Sequence, residues 1–152
     1  MFKKFIWLGA LMIVGVTGGI VGTTQPAAAR SPKTLHGIKY THTTPVRSRG
    51  TWYNWDSNIG ANKIIVKKHQ VKWYYRQHKK GKWQHQQTLT GKKLYVYRQT
   101  VSHKKMFGFY AAYEDDFNFF YTGTKKIKGK TVKYMSSAGI YTYYHSWKYA
   151  IR

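Results

Sequence analysis

Short runs of alternating apolar and polar positions fill the chain from Thr51 onward. In residues 71–77, Val71, Trp73 and Tyr75 share one face of an extended strand, and the residues between them share the other. No stretch of this part shows an apolar period of 3.6 residues. The pattern therefore predicts strands.

About eight short strands are predicted in this way, separated by Gly-containing turn signals at spacings of roughly 8–12 residues. After a first strand near Thr51, the predicted strands occupy 63–67, 71–77, 94–97, 106–113, 117–121, 131–135 and 140–147. Such a series is typical of antiparallel folds. We therefore predict an all-β domain, built as a small antiparallel barrel or as a sandwich.

The residues before this domain have a different composition. Two lysines precede an apolar run from residue 5 to about residue 22, and three alanines at 27–29 resemble a cleavage site. We predict a signal peptide over 1–29, with an uncleaved membrane anchor as the alternative. Residues 30–47 contain few apolar side chains and are predicted to form a flexible lead-in, which leaves 48–152 as the all-β domain. The protein is thus expected to be secreted and extracellular, or held at the cell surface.

Charge narrows the class of partner. Lys and Arg together number 27 against four acidic residues, which gives a formal net charge of +23. Solubility needs a magnitude of only about 2–8, so the surplus indicates attraction to polyanions. Clusters at the predicted turns supply the candidate polyanion-binding residues, which are Lys79, Lys80, Lys82, Lys92, Lys93, Lys104, Lys105, Lys125, Lys126, Lys128 and Lys130. The alternative interpretation is that lysines at turns and edges only protect the sheet from aggregation.

Because the protein is predicted to be exported, the expected polyanionic partner lies in the cell envelope. The chain has no cysteine, which is more typical of exported Gram-positive proteins than of a disulfide-forming pathway. Teichoic acids and anionic membrane surfaces are then the expected polyanions, and no specific nucleic-acid partner is expected. Residues 105–109 match the aromatic strand of an RNA-recognition motif only in part.

Aromatic side chains are too frequent for all of them to point inward. Neighbours such as Tyr74 and Tyr75, or Phe119 and Phe120, face opposite sides of a strand. Some rings must therefore lie on the outer face among the lysines. They either cover a half-exposed sheet or form a stacking platform for sugars or apolar groups.

Enzyme chemistry lacks the residues it needs. The only acids are Asp56 and the cluster Glu114, Asp115 and Asp116, which falls at a predicted turn. The seven histidines show no metal-binding spacing. We therefore predict a non-enzymatic protein with no catalytic residues, no metal site and no cofactor.

Two short motifs carry a family resemblance. The segment from Arg49 to Tyr53, Arg-Gly-Thr-Trp-Tyr, resembles the first strand of small secreted proteins of lactobacilli, and the Ala-Gly-x-Tyr segment at 138–141, followed by His145, resembles their ending. The resemblance implies an export signal, a polar lead-in and Lys/Tyr-rich strands. It implies no particular activity.

The triplet Gly50-x-Trp52 also resembles the first-strand signature of lipocalin-like barrels. In those barrels the Trp closes one end and a late basic residue packs over it, a role that only Lys133 or Arg152 is placed to fill here. The resemblance implies barrel-closing or ligand-facing roles for Trp52, Trp55, Trp73 and Tyr75. It also implies the runner-up function, a carrier of a small apolar ligand. A membrane-active antimicrobial protein is a third alternative, although no amphipathic helix is predicted.

Overall fold

The computed structural model describes residues 39–111, 118–137 and 140–151. The predicted signal peptide (1–29), residues 30–38 of the lead-in, the acidic cluster at 114–116, the Ala-Gly pair at 138–139 and Arg152 lie outside the described residues. The prediction of an all-β protein is confirmed.

Ten strands and three short helices make up the described chain. The strands are β1 (Tyr40–Thr41), β2 (Gly50–Asp56), β3 (Gly60–Lys67), β4 (Gln70–Arg76), β5 (Gln84–Thr90), β6 (Tyr95–Val101), β7 (Lys104–Tyr110), β8 (Phe119–Ile127), β9 (Lys130–Ser137) and β10 (Tyr141–Tyr144). Two 3-10 turns span Val46–Ser48 and Gly91–Lys93, and a one-turn helix, α1, spans Trp147–Ala150.

The strands form a single sheet in the order β1-β6-β7-β8-β9-β10-β2-β3-β4-β5, and every pairing is antiparallel. Within the described residues β1 and β5 are the two edges and do not pair, so the sheet is not closed. The prediction of a closed barrel is therefore wrong. A sandwich is not observed either, because the described strands belong to one sheet.

The segments that follow the two edge strands both hydrogen-bond to the β3–β4 turn. β1 contains only two residues, and after it the amide of Thr44 donates to the carbonyl of Lys68 in the β3–β4 turn, at 2.9 Å. At the other edge the 3-10 turn Gly91–Lys93 separates β5 from β6, and the Gly91 amide donates to His69 in the same β3–β4 turn. Both segments thus bond to one turn, and Nδ1 of His42 in the first segment also donates to the carbonyl of Leu94, directly after the second, at 2.7 Å.

One apolar core joins the two halves of the sheet. It combines Trp52, Ile64 and Val71 from β2–β4 with Phe107 and Phe120 from β7–β8. The ring of Trp73 meets Phe109 edge-on at 6.4 Å, although their strands lie far apart in the sheet order. The sheet must therefore fold over so that its halves face each other, as burial of one apolar face requires.

Three elements differ from the predicted positions. β1 lies inside 30–47, the segment assigned to the lead-in, and the side chain of Thr44 is 1 % exposed there. β5 (Gln84–Thr90) was not predicted, because Leu89 is its one buried apolar residue. The predicted strand 140–147 stops at Tyr144, and α1 takes over at Trp147.

α1 packs on the outer face of the sheet. Ala150 joins Val132 and Tyr144 in a second buried cluster, with Tyr53 and Trp147 packed against it. Tyr53 lies between Trp52 and Asn54, which are both buried on the core side of β2, so the side chain of Tyr53 points to the opposite side of the sheet. This packing brings a tryptophan from the end of the chain next to β2.

Candidate functional site: a cation–aromatic face

The outer surface of β2, β3 and β4 gathers aromatic and basic side chains. Alternation fixes their direction, because Trp52, Ile64 and Val71 on the same strands point into the core. Trp83 from the β4–β5 loop and Trp147 from α1 complete the group. We call this surface the cation–aromatic face; its members are Tyr53, Trp55, Lys63, Tyr74, Arg76, Trp83 and Trp147.

Arg76 lies at the centre of the face, between two indole rings. Its guanidinium carbon is 4.2 Å from the ring centroid of Trp83 and 4.2 Å from that of Trp147. Nη1 donates to the carbonyl of Gly81 at 3.3 Å, and buried Nε has no hydrogen-bond partner. Cation–π contacts of this kind are worth roughly 0.5–2 kcal/mol each. Arg76 is thus held in one orientation while keeping hydrogen-bond donors that these contacts do not use.

Lys63 provides a second cation beside Arg76. Its Nζ lies 4.1 Å from the ring centroid of Tyr74 and 4.8 Å from that of Trp83. At the rim, Lys79 Nζ lies 5.3 Å from the ring centroid of Trp55. Each ammonium therefore contacts an aromatic ring, and the stems of these side chains cover the rings in part.

The rings also contact one another. Trp147 meets Tyr53, Trp55 and Trp83 at centroid distances of 6.1, 6.2 and 6.0 Å, each close to edge-on. Edge-to-face pairs at such distances are favourable for aromatic quadrupoles. The face is therefore a packed surface whose side chains hold each other in place.

The electrostatics of the face favour an anionic ligand. Burial lowers the pKa of Lys63, and repulsion by Arg76 lowers it further. Burial also lowers the pKa of Arg76, although Tyr53 acts in the opposite direction. Asp56 is the one acid within the described ranges, and its Oδ1 accepts the backbone amides of Asn58 and Ile59 in the β2–β3 turn. A bound anion would relieve the repulsion between Lys63 and Arg76.

All eleven lysines of the predicted clusters are exposed. They lie on separate parts of the sheet: the β4–β5 loop, the 3-10 turn Gly91–Lys93, the start of β7, and the hairpin of β8 and β9. Some touch outer-face tyrosines, as Lys104 does with Tyr121 at 4.8 Å and Lys125 with Tyr144 at 5.1 Å. The structure thus spreads these clusters, and it brings Lys79 to the rim of the cation–aromatic face.

Trp52 is fully buried where β2 passes under the chain's first 3-10 turn. Its Nε1 donates to the carbonyl of Ser48 at 2.6 Å, and His145 stacks on the ring with centroids 3.7 Å apart. Lys133 Nζ lies 6.0 Å from the same ring. A late basic residue therefore approaches this Trp, as the lipocalin resemblance implies, although the sheet around it is open.

The other residues of the barrel-closing group divide between the two faces. Trp73 packs partly buried against the core, and the hydroxyl of Tyr75 donates to the carbonyl of Ile59 at 2.7 Å. Trp55 lies on the outer face beside Trp147. Because Trp55 follows the inward-facing Asn54, it points away from the interior that the barrel hypothesis assigned to it.

The sequence alone does not predict site roles for Lys63, Arg76, Trp83 or Trp147. Alternation does place Tyr74 and Arg76 on the face opposite Trp73, and that signal predicts an outer aromatic surface. It does not predict that Trp83 and Trp147 meet there, because a loop and a distant helix supply them.

No helix in the described part of the chain is long and apolar enough to cross a membrane. Among the same residues, no group of three or more His, Asp or Glu side chains is placed to hold a metal ion. Comparison with protein-family models, with curated proteins and with solved structures found no match to this chain.

Proposed function

We propose that this protein is a secreted, non-enzymatic β-domain that binds an anionic polymer of the cell envelope, with teichoic acid as the expected class. The cation–aromatic face provides the ordered contact, and the exposed lysine clusters add attraction over the rest of the surface. Release of counterions from the polymer supplies most of the binding free energy.

The arrangement around Arg76 is the observation that carries this proposal. Two indoles hold a guanidinium beside a second cation, and the one described acid is engaged in a turn. Packed cations without a carboxylate partner repel each other, so they cost stability unless an external anion compensates them. Aromatic rims beside the charges offer contact to the glycan or polyol part of the ligand.

The packing of the interior favours this proposal over a carrier of a small apolar ligand. Trp52, Phe107 and Met135 are 0 % exposed between the two halves of the sheet, and they occupy the space that an apolar ligand would need. Membrane activity has less support, since the one described α-helix has four residues and packs against the sheet.

Wall binding tests the proposal directly. Purified protein is mixed with isolated Gram-positive walls, either intact or stripped of teichoic acid, and the bound fraction is measured after sedimentation. We expect strong binding to intact walls and a large loss with stripped walls. Equal binding to both preparations would exclude teichoic acid as the ligand.

A charge variant assigns the contact to particular residues. The triple change Lys79→Gln, Lys80→Gln and Lys82→Gln removes three exposed charges beside the face, and it should weaken wall binding at least about tenfold. The single change Lys68→Gln alters an exposed lysine of the β3–β4 turn and serves as the control. An unaltered affinity in the triple variant would remove this edge of the face from the binding surface.

A further inference from the structure

A groove beside β6 and β7 is a second cluster of basic side chains, separate from the cation–aromatic face. The core-facing positions of these strands are apolar at Val96, Phe107 and Phe109, and they become polar toward the far strand ends. In β6 the same face continues with Arg98 and Thr100, and in β7 it begins with Lys105. The pairing Thr100↔Lys105 places these residues side by side. The interior of the folded sheet thus ends in a basic opening.

The chain before β2 covers one side of this opening. It supplies Pro45 and Arg47, and a groove of about 320 Å³ remains between them and the two strands. We call it the β6–β7 groove; its lining includes Pro45, Arg47, Arg98, Gln99, Thr100 and Lys105. A volume of this size falls in the range of small-molecule sites.

Two guanidinium groups of the groove are already positioned. Arg47 donates from Nη2 to the carbonyl of Lys105, and its guanidinium carbon lies 5.5 Å from the ring centroid of Phe107. Its buried Nε has no hydrogen-bond partner. Arg98 donates from Nη2 to the carbonyl of Thr43 at 3.1 Å. Each arginine therefore donates from one nitrogen to a backbone carbonyl, and its other donors remain for a ligand.

Charge determines the class of ligand. Arg47, Arg98 and Lys105 contribute three positive charges to the lining, and the lining contains no acid. A single carboxylate would balance one of them, whereas a phosphate monoester carries up to two negative charges and three acceptor oxygens. Guanidinium forks match phosphate oxygens in a bidentate geometry.

We propose that the β6–β7 groove is a binding site for one phosphate monoester group, with Arg47, Arg98 and Lys105 as its ligands. The Thr100 hydroxyl adds an uncharged donor on the same face. Pro45 supplies apolar contact for a small organic substituent. This site deepens the proposed function, since it names a phosphate group as what is bound, and it rests on that function for its biological source. A terminal phosphate of an envelope polymer and the headgroup of a lipid share this chemistry.

Calorimetric titration with inorganic phosphate and with glycerol phosphate tests the site, at an ionic strength held constant with sodium chloride. We expect one site per chain. Arg98→Gln and Lys105→Gln each change an exposed side chain, so both variants should fold, and each should weaken phosphate binding about tenfold or more. Lys68→Gln removes an equal charge outside the groove, and it should change the affinity less than about twofold.

Several results would overturn the proposal. One is an equal loss of phosphate affinity in Lys68→Gln and Lys105→Gln. Another is a titration that shows several weak phosphate sites per chain. A third is a binding signal for chloride equal to that for phosphate. Vesicles of phosphatidic acid, compared with phosphatidylcholine, distinguish the sources: binding that Arg98→Gln weakens, without affinity for soluble phosphate, would support the site and assign it to a lipid headgroup. Wall binding that persists in Arg98→Gln while phosphate binding is lost would show that the proposed function stands without this groove.

Discussion

Trp52 joins three parts of the fold. Its ring is fully buried in the core, its Nε1 bonds Ser48 before β2, and His145 from the segment after β10 stacks on it. The hydrogen bond satisfies a carbonyl of a residue that is itself 0 % exposed. Trp52 therefore combines apolar burial with a polar contact that a phenylalanine ring cannot make.

The change Trp52→Phe should lower the free energy of unfolding by about 1–3 kcal/mol, because it leaves the Ser48 carbonyl without its donor and reduces the packed volume. Equilibrium unfolding in urea measures the effect. Trp55→Phe, on the outer face, is the matched control, and it should cost less than about 1 kcal/mol. Equal losses in the two variants would contradict the role assigned to Trp52.

Tyr143 gives the stability a dependence on alkaline pH. Burial raises its pKa above the ordinary value of 10.0, and Tyr141 raises it further. The folded protein then holds the phenol proton more tightly than the unfolded chain does. The stabilisation is complete below about pH 10, and it is lost as the pH rises toward the folded-state pKa.

Urea unfolding measured from neutral pH to above pH 10 checks this assignment in the wild type and in Tyr143→Phe. The difference between the two free energies of unfolding should be constant below the ordinary tyrosine pKa, and the wild type should lose stability relative to the variant above it. The comparison cancels the titration of the lysines and of the other tyrosines. A difference that does not change with pH would refute the assignment.

At the scale of the strands, two glycines accommodate aromatic rings on the sheet surface. A Cβ at Gly108 would overlap the ring of Tyr110, and a Cβ at Gly123 would lie 2.7 Å from the hydroxyl oxygen of Tyr134. Tyr110 is 2 % exposed, whereas Tyr134 is half-buried. The two rings thus differ in their freedom to move aside.

Gly108→Ala should therefore destabilise the protein by about 1–3 kcal/mol, the usual cost of overpacking. Gly123→Ala should cost less, because Tyr134 can rotate toward solvent. Thermal unfolding of the two variants under the same conditions checks the order. A larger loss in Gly123→Ala would show that the position of the Tyr110 ring is not what makes Gly108 necessary.

The sequence predicts the central strands well, and it fails at the edges. β3, β4, β6, β7, β8 and β9 all overlap predicted strands, because each carries β-branched or aromatic residues and at least one buried apolar side chain. β5 carries a polar Gln/His run, since an edge strand faces solvent more than a central one does. β1 has two residues, too few for a periodic signal.

At the scale of the whole molecule, the main incorrect prediction is that the sheet closes into a barrel. Strand count and the Gly50-x-Trp52 triplet favour a barrel, but the edge strands β1 and β5 do not pair, and the segments that follow them hydrogen-bond to the β3–β4 turn. These contacts lack a sequence pattern. The cation–aromatic face was predictable only as an outer aromatic surface, because Arg76, Trp83 and Trp147 meet through the fold.

The net charge of +23 should make stability and binding respond to salt in opposite directions. Salt screens the repulsion among the lysines, so the midpoint of thermal unfolding should rise with sodium chloride concentration in the absence of a ligand. Differential scanning calorimetry at increasing salt checks this expectation. A midpoint that falls as salt increases would show that attractive charge pairs dominate the folded state.

Salt dependence of wall binding is the measurement that tests the central claim most directly. The account predicts that the association constant for intact walls falls linearly with salt concentration on a double-logarithmic plot. Neutralising Lys79, Lys80 and Lys82 should make the slope shallower by somewhat less than one for each lysine that contacts the polymer. Binding that stays constant as the salt concentration rises, with the same slope in the wild type and the triple variant, would contradict an electrostatic association with the envelope.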